Sequence, residues 1–270
     1  MEKITNSVHR TKIRWAILIA IAISSIWVTH NPALSFIIFL LPPLWALLHS
    51  LELYGKKHTL VIFTIIILVS FTAEYIGVHT GKLFGLYFYN PDHAINGFLW
   101  GGVPPLVTLS YISIAYSSYL VARVILGFPG RIKGAAIIGI PVLASMLTTM
   151  WDMSFDPIAS YVHKIYTWYA GGAYFGVPFR NFTGWFLESI VFFGLMTVYL
   201  QTVPRVKDFM KKPSSLFLAE AVFLMAANAF GTIVKEFNNP TAVQQSLALV
   251  ALFGMGIPIV IASFRLIQKP

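Results

Sequence analysis

Residues 58–78 read HTLVIFTIIILVSFTAEYIGV, with Glu74 as the one acidic or basic side chain besides the histidine. As a helix rising about 1.5 Å per residue, this run covers the roughly 30 Å of hydrocarbon in a bilayer. A soluble helix has a polar face and this one has none, so the stretch reads as membrane-spanning. Working outward, seven more runs of similar character lie at about 14–29, 34–51, 101–122, 133–151, 182–203, 214–234 and 243–264. They predict an all-α polytopic bundle of about eight transmembrane helices. Seven is the alternative count; Pro42-Pro43 is expected to kink the second run, and a re-entrant hairpin made of the first two runs is the alternative to a pair of spans. No Gly/Ser-rich or Pro-rich linker separates the runs, so residues 1–270 are expected to form a single integral membrane domain.

The composition agrees: 57% of the 270 residues are hydrophobic and only 11% charged, against roughly a quarter charged in ordinary soluble domains. The first run lacks a small-x-small cleavage site before Pro32 and reads as a retained helix. The absence of cysteine excludes disulfides, thiolate nucleophiles and cysteine-held clusters. A net charge of +9 suggests nucleic acid in a soluble protein, but here the placement of the charges decides. Lys3, Arg10, Lys12, Arg14, Lys56, Lys57, Arg123, Arg131, Lys133, Arg205, Lys207, Lys211, Lys212, Arg265 and Lys269 all fall on one side of an alternating topology. Lys82, Lys164, Arg180 and Lys235 fall on the other. The positive-inside rule then puts the N- and C-termini in the cytoplasm of a multi-pass cell-membrane protein and removes the case for nucleic acid.

Two connections on the non-cytoplasmic side, about 79–100 and 152–181, are long, aromatic and glycine-rich. Connections of that length are usually functional, and these are expected to fold back over the bundle as a lid. Their shared G-x-x-F-G (Gly81 to Gly85, Gly172 to Gly176) is too short to establish an internal duplication.

Next to this lid lie four acids, Glu74, Asp152, Asp156 and Glu188, near the ends of their helices. Carboxyls at membrane depth are costly and mark functional sites. Asp152 and Asp156 are spaced i, i+4, so a helix that continues past Trp151 places them on one face. Mutual repulsion and desolvation then favour keeping one proton on the pair, available for general acid work. As plain structure, Asp156 would cap a turn before Pro157 and Asp152 would pair with Arg180 or Lys164. Glu220, near the cytoplasmic face, reads as structural.

Other chemistries fit less well. No two of the seven histidines lie closer than nine residues, so the clustered boxes of a di-iron oxygenase are missing and no metal is expected. A D-x-x-x-D can hold Mg²⁺ on a diphosphate, but there is no second acidic cluster and the acids face away from the cytoplasm. Tyr87, Tyr89, Trp100, Trp151, Trp168, Tyr169, Tyr174, Phe175 and Trp185 serve as an interfacial belt in the plain reading. Beside a proton-donating carboxyl, however, aromatic faces also stabilise a carbocation, by about 0.5–2 kcal/mol each.

Several motifs carry a specific resemblance. They are Glu74-x-x-Gly77-Val78-His79-Thr80-Gly81, Phe84-Gly85-x-Tyr87-x-Tyr89, Gly102-Val103-Pro104, Trp151-Asp152 with Asp156-Pro157, and Trp168 with Tyr174-Phe175-Gly176-Val177-Pro178, Asn181 and Gly184-Trp185. Over about 70–190 the chain resembles the carotenoid biosynthesis membrane proteins that include the carotenoid 1,2-hydratases and bisanhydrobacterioruberin hydratases. It departs from them at Leu86 and Tyr111, which leaves the exact substrate open. The resemblance implies a cofactor-independent hydro-lyase that adds water to the terminal double bond of a C40 or C50 isoprenoid. It also implies a carotenoid or other long isoprenoid as substrate, with membrane lipid and other carotenoid-pathway enzymes as surroundings.

On that reading Glu74, Asp152 and Asp156 are the catalytic candidates, and Tyr87, Tyr89, Trp151, Trp168, Tyr174, Arg180, Asn181 and Trp185 the substrate-binding ones, with Asn181 and Arg180 expected to orient the carboxylates. The competing class is a non-catalytic membrane protein that binds or transports a polyprenoid. A transporter should spread its acids along a path through the membrane, whereas here they concentrate on one side.

Overall fold

A computed structural model describes residues 2–26, 32–93, 95–128, 132–202, 213–239 and 241–268. The charges expected to mark the cytoplasmic side at Arg131, Arg205, Lys207, Lys211, Lys212 and Lys269 lie outside the described residues. Within them run seven helices: α1 (Glu2–Ile26), α2 (Pro32–Thr80), α3 (Pro105–Ile125), α4 (Ala136–Val162), α5 (Phe179–Thr202), α6 (Ser215–Phe237) and α7 (Ala242–Ile267). All but α1, which is charged as far as Arg14, are long and apolar enough to cross a membrane, α2 being counted from Phe39. The protein is an all-α polytopic membrane bundle.

The second and third apolar runs are both contained in α2, whose 49 residues would reach about 70 Å if straight. It is not straight. Gly55 has φ 76° and ψ 169°, a left-handed conformation that glycine adopts without a Cβ clash. The Ser50 and Thr59 hydroxyls, on either side of it, hydrogen-bond at 2.9 Å, although nine residues of straight helix would separate them by about 13 Å. The chain therefore folds back at Gly55, with Lys56 and Lys57 exposed at the tip. Pro42 and Pro43 stay within helical dihedrals; the break expected there falls at Gly55 instead.

Helix starts follow local rules. Pro105 opens α3, where a missing N–H costs nothing. Ser214 and Thr241 cap α6 and α7 by accepting the N–H of Phe217 at 3.2 Å and of Gln244 at 3.3 Å. α3 is the central helix, with 72% of its apolar window buried. Its Ser110, Ser113, Ser117 and Ser118 are small enough to let neighbouring helices approach closely. At one end Arg14 of α1 forms a two-pronged ion pair with Glu220 of α6, Nε to Oε2 at 2.8 Å and Nη2 to Oε1 at 2.9 Å. It also binds Glu52, while Trp45 Nε1 donates to Glu220 at 3.0 Å. Every charge in this buried cluster has a partner, which is what burial of charge requires.

At the opposite end the two long connections zip together. Strand β1 (Tyr87–Tyr89) pairs antiparallel with β2 (Tyr166–Trp168), Tyr87 opposite Trp168 and Tyr89 opposite Tyr166. Because side chains alternate along a strand, Tyr87, Tyr89, Tyr166 and Trp168 turn inward and are buried, while Phe88 stays exposed. Phe84 anchors this lid. It is wedged between Gly77 of α2 and Gly184 of α5, where an added Cβ would lie 2.7 Å and 2.6 Å from its ring.

Candidate active site

Helix α4 runs on past Trp151 and ends in a widened π turn at Ile158–Val162. Asp152 and Asp156 therefore share one face, both buried. Asn181, in the first turn of α5, bridges them: its amide donates to Asp152 Oδ2 at 2.8 Å and to Asp156 Oδ2 at 2.5 Å. The phenol of Tyr166 donates to Asp156 Oδ1. Asp152 Oδ1 is buried without a hydrogen-bond partner among the described residues. One amide and one phenol thus serve two carboxyls with four oxygens, an arrangement that leaves room for a shared proton.

Glu74 lies one turn before the end of α2 and is met by phenols only. Tyr111 donates to Oε1 at 2.6 Å, and Tyr89 donates to Oε2 at 2.9 Å, as does Tyr87. Burial, reinforced by the Glu74 charge, pushes the Tyr87 and Tyr89 hydroxyls well above the ordinary phenol range. Burial and Asp156 do the same for Tyr166. These phenols consequently remain proton-bearing donors at any physiological pH. The tyrosines of β1 and β2 carry the two clusters side by side, the Tyr87 and Tyr166 rings lying 6.0 Å apart and those of Tyr89 and Tyr166 5.6 Å.

A cavity of about 50 Å³ opens between these groups. Its polar wall is Glu74, Ser110, Asp156, Asn181 and the four phenols; its apolar wall includes Phe84, Trp151, Phe155, Trp168 and Trp185 with neighbouring apolar side chains. Trp185 stacks on Tyr111 with centroids 4.7 Å apart and planes at 8°, and Trp151 stacks on Phe155 at 4.5 Å. Asp152 is not part of the wall; it stands behind Asp156 and Asn181.

Of the site residues expected from the sequence, Glu74, Asp156, Tyr87, Tyr89, Trp151, Trp168, Asn181 and Trp185 meet at this cavity, and Asp152 backs it. Tyr174 and Arg180 do not. The Tyr174 hydroxyl donates to the Met153 carbonyl at 3.1 Å, beside the cavity; burial, then Asp152, push its phenol up to about 12. Arg180 is exposed and among the described residues reaches the Gly81 carbonyl, at 3.5 Å, rather than either aspartate, which Asn181 contacts instead. One step along a helix turns a side chain by about 100°, so neighbours of Asn181 face elsewhere. Tyr111 and Tyr166 are site residues that sequence reasoning missed. Tyr166-x-Trp168 repeats the period-two aromatic pattern of Tyr87-x-Tyr89, which was the available signal. Glu188 is also buried, two turns along α5 from Asn181, and neither of its oxygens has a hydrogen-bond partner among the described residues.

A family model described as "Carotenoid biosynthesis protein" matches residues 33–253. A bisanhydrobacterioruberin hydratase of Haloarcula japonica is 30% identical over 126 residues, which are 46% of this chain and 40% of that protein. The chain thus aligns with less than half the length of this curated relative. No solved structure matches.

Proposed function

Since the chain belongs to the carotenoid biosynthesis protein family, whose model spans most of it, we propose that it is a hydratase, adding water across the terminal isopropylidene double bond of a long carotenoid to leave a tertiary alcohol. The observation that carries this reading is the pair Asp152 and Asp156, bridged by Asn181, beside a Glu74 ringed by three phenols, at the tip of an aromatic pocket. The hydratase name of the partial relative points the same way.

The terminal double bond lies against Asp156, the member of the pair that forms the cavity wall. The proton held by the pair passes to the less substituted alkene carbon, and the positive charge develops on the carbon bearing two methyls. Trp151, Trp168 and Trp185 offer π faces to that cation, worth about 0.5–2 kcal/mol each when desolvated. Glu74, fixed by Tyr87, Tyr89 and Tyr111, presents carboxyl oxygens that do not have to reorient as the cation forms. Water adds to the cation and its surplus proton returns to the aspartate pair, so the net change is one water gained and the acid is restored. Asn181 orients both aspartates throughout. The site faces the non-cytoplasmic side, with both chain ends in the cytoplasm.

The test is to express the chain in a host that makes an acyclic carotenoid and to analyse the pigments by liquid chromatography with mass detection. The expected product is heavier than the substrate by one water, and its formation falls about 10²–10⁴-fold in Asp156→Asn, the range for a lost general acid. Unaltered pigment that co-purifies with well-inserted protein would instead establish a binding protein.

A further inference from the structure

A second cavity, about 310 Å³, lies among α1, α2, α3, α4, α6 and α7 beside the carboxylate pocket. The two cavities share the walls Phe39, Ser110, Ile114, Trp151 and Phe155, so a single layer of side chains separates them. The lining of the larger one is rich in short polar groups, quite unlike the aromatic pocket. Ser24, Ser25, Ser110, Ser113 and Ser154 all contribute, and every one of these hydroxyls already donates its hydrogen to a backbone carbonyl, at 2.9, 2.8, 2.6, 2.9 and 3.3 Å respectively. What they retain is lone pairs. Those acceptors, set in a lining whose remaining area is largely apolar, suit a ligand that brings its own hydrogens. At the end of α6, Lys235 and Glu236 line the same space, and so does His163 just after α4. His163 is held below the ordinary imidazole range by burial and then by Lys235, which leaves it a neutral group able to donate and accept. The volume is far above the roughly 10–15 Å³ that one ordered water needs, and the polar partners such water requires are present.

We infer that this larger cavity is a water vestibule that supplies the carboxylate pocket across the partition formed by Ser110, Trp151 and Phe155. The inference rests on the hydratase reading, which needs one water per turnover delivered to the aromatic pocket. The stack of Trp151 on Phe155 forms the barrier. Ser110, the hydroxyl common to both cavities, is the polar step through it. The arrangement keeps bulk water away from the cation until a single molecule passes, which limits proton loss and return to the alkene.

Two measurements test it. Hydroxyl-radical labelling of the purified wild-type protein, read by mass spectrometry, is expected to modify Trp151, Phe155 and Met255 severalfold faster than Trp45, Phe192 and Met196, the same residue types fully buried outside either cavity. Equal rates would overturn the vestibule whether or not the protein proves to be a hydratase. Filling the cavity with Ser113→Leu or Thr232→Leu is then expected to protect those residues and to lower kcat severalfold while leaving KM for the carotenoid unchanged. A raised KM with unchanged kcat would mean that the cavity houses the isoprenoid chain, and it too would overturn the proposal. Wild-type protein that makes no alcohol but labels as expected would separate failure of the hydratase reading from failure of the vestibule.

Discussion

Asp152 and Asp156 share one helix face and one amide, yet their oxygens are not equivalent, and the difference predicts how each tolerates change. Asp152 uses Oδ2 for Asn181, and its Oδ1 has no partner among the described residues. An asparagine there keeps the acceptor for Asn181 and places its new NH2 where no donor is displaced, within reach of Asp156. At Asp156 both oxygens accept, one from Tyr166 and one from Asn181. An asparagine there must set its own donor against one of theirs, at about 1–3 kcal/mol for a buried donor left unmet. Asp152→Asn is therefore expected to unfold at or above the wild-type temperature in detergent, and Asp156→Asn below it. Both are expected to lose turnover, because both remove the shared proton. Retained turnover in Asp152→Asn would show that Asp156 holds its proton without the pair. A carboxyl pair that is better tolerated as carboxyl plus amide is the signature of a site kept for chemistry at some cost to stability.

At the scale of elements, the lid depends on one aromatic wedge. Phe84 enters the slot between Gly77 and Gly184, and the adjoining Trp168 donates its Nε1 hydrogen to the Phe84 carbonyl at 3.2 Å. Gly184→Ala adds a methyl 2.6 Å from the ring and 2.7 Å from the Leu83 carbonyl. Overpacking of that kind costs about 1–3 kcal/mol. Since Phe84 also lines the cavity, the expected outcome is a lower melting temperature together with looser carotenoid binding, measured by thermal unfolding and by KM. An effect on melting alone would detach the wedge from the site. Gly77, Phe84 and Gly184 were all visible in the sequence as motif positions, but not as a contact, because the last is separated from the others by two helices. The two long aromatic connections were likewise legible as a lid from their length and composition. Their strand pairing was not, since three-residue strands give too short a period-two pattern to distinguish from belt aromatics. The carboxylates at the site could be read from the cost of placing acids in a membrane. Tyr111 could not, because a tyrosine in an apolar run carries no such cost and so gives no signal until its hydroxyl finds a partner, and Tyr166 offered only the short period-two pattern it shares with Trp168.

For the whole molecule, Gly55 decides the topology. Hydropathy marks eight apolar runs, while the folded chain has seven helices among the described residues, and the two counts agree only because α2 reverses. Without that reversal the chain would cross an odd number of times and its ends would lie on opposite faces. With it, and with α1 spanning as the sequence reading expects, the count becomes eight, and the expected arrangement puts both ends on one face with Lys56 and Lys57. The polar clusters support this arrangement. Glu52, three residues before the turn, joins Arg14 and Glu220 at one end of the bundle. Glu74, nineteen residues beyond the turn, lies about 28 Å away along its arm, which is close to the thickness of the hydrocarbon layer. The ion-paired cluster and the carboxylate pocket therefore mark opposite faces. Reporter fusions check the orientation: a fluorescent protein, which folds only in the cytoplasm, is expected to light up at the C-terminus and when inserted after Lys56, whereas a tag inserted between Pro91 and Asp92 in the lid should be reached by impermeant reagents from outside. Opposite locations for the C-terminus and the Lys56 insertion would contradict the even number of helices, the second arm of α2 and α3 to α7, that lie between them.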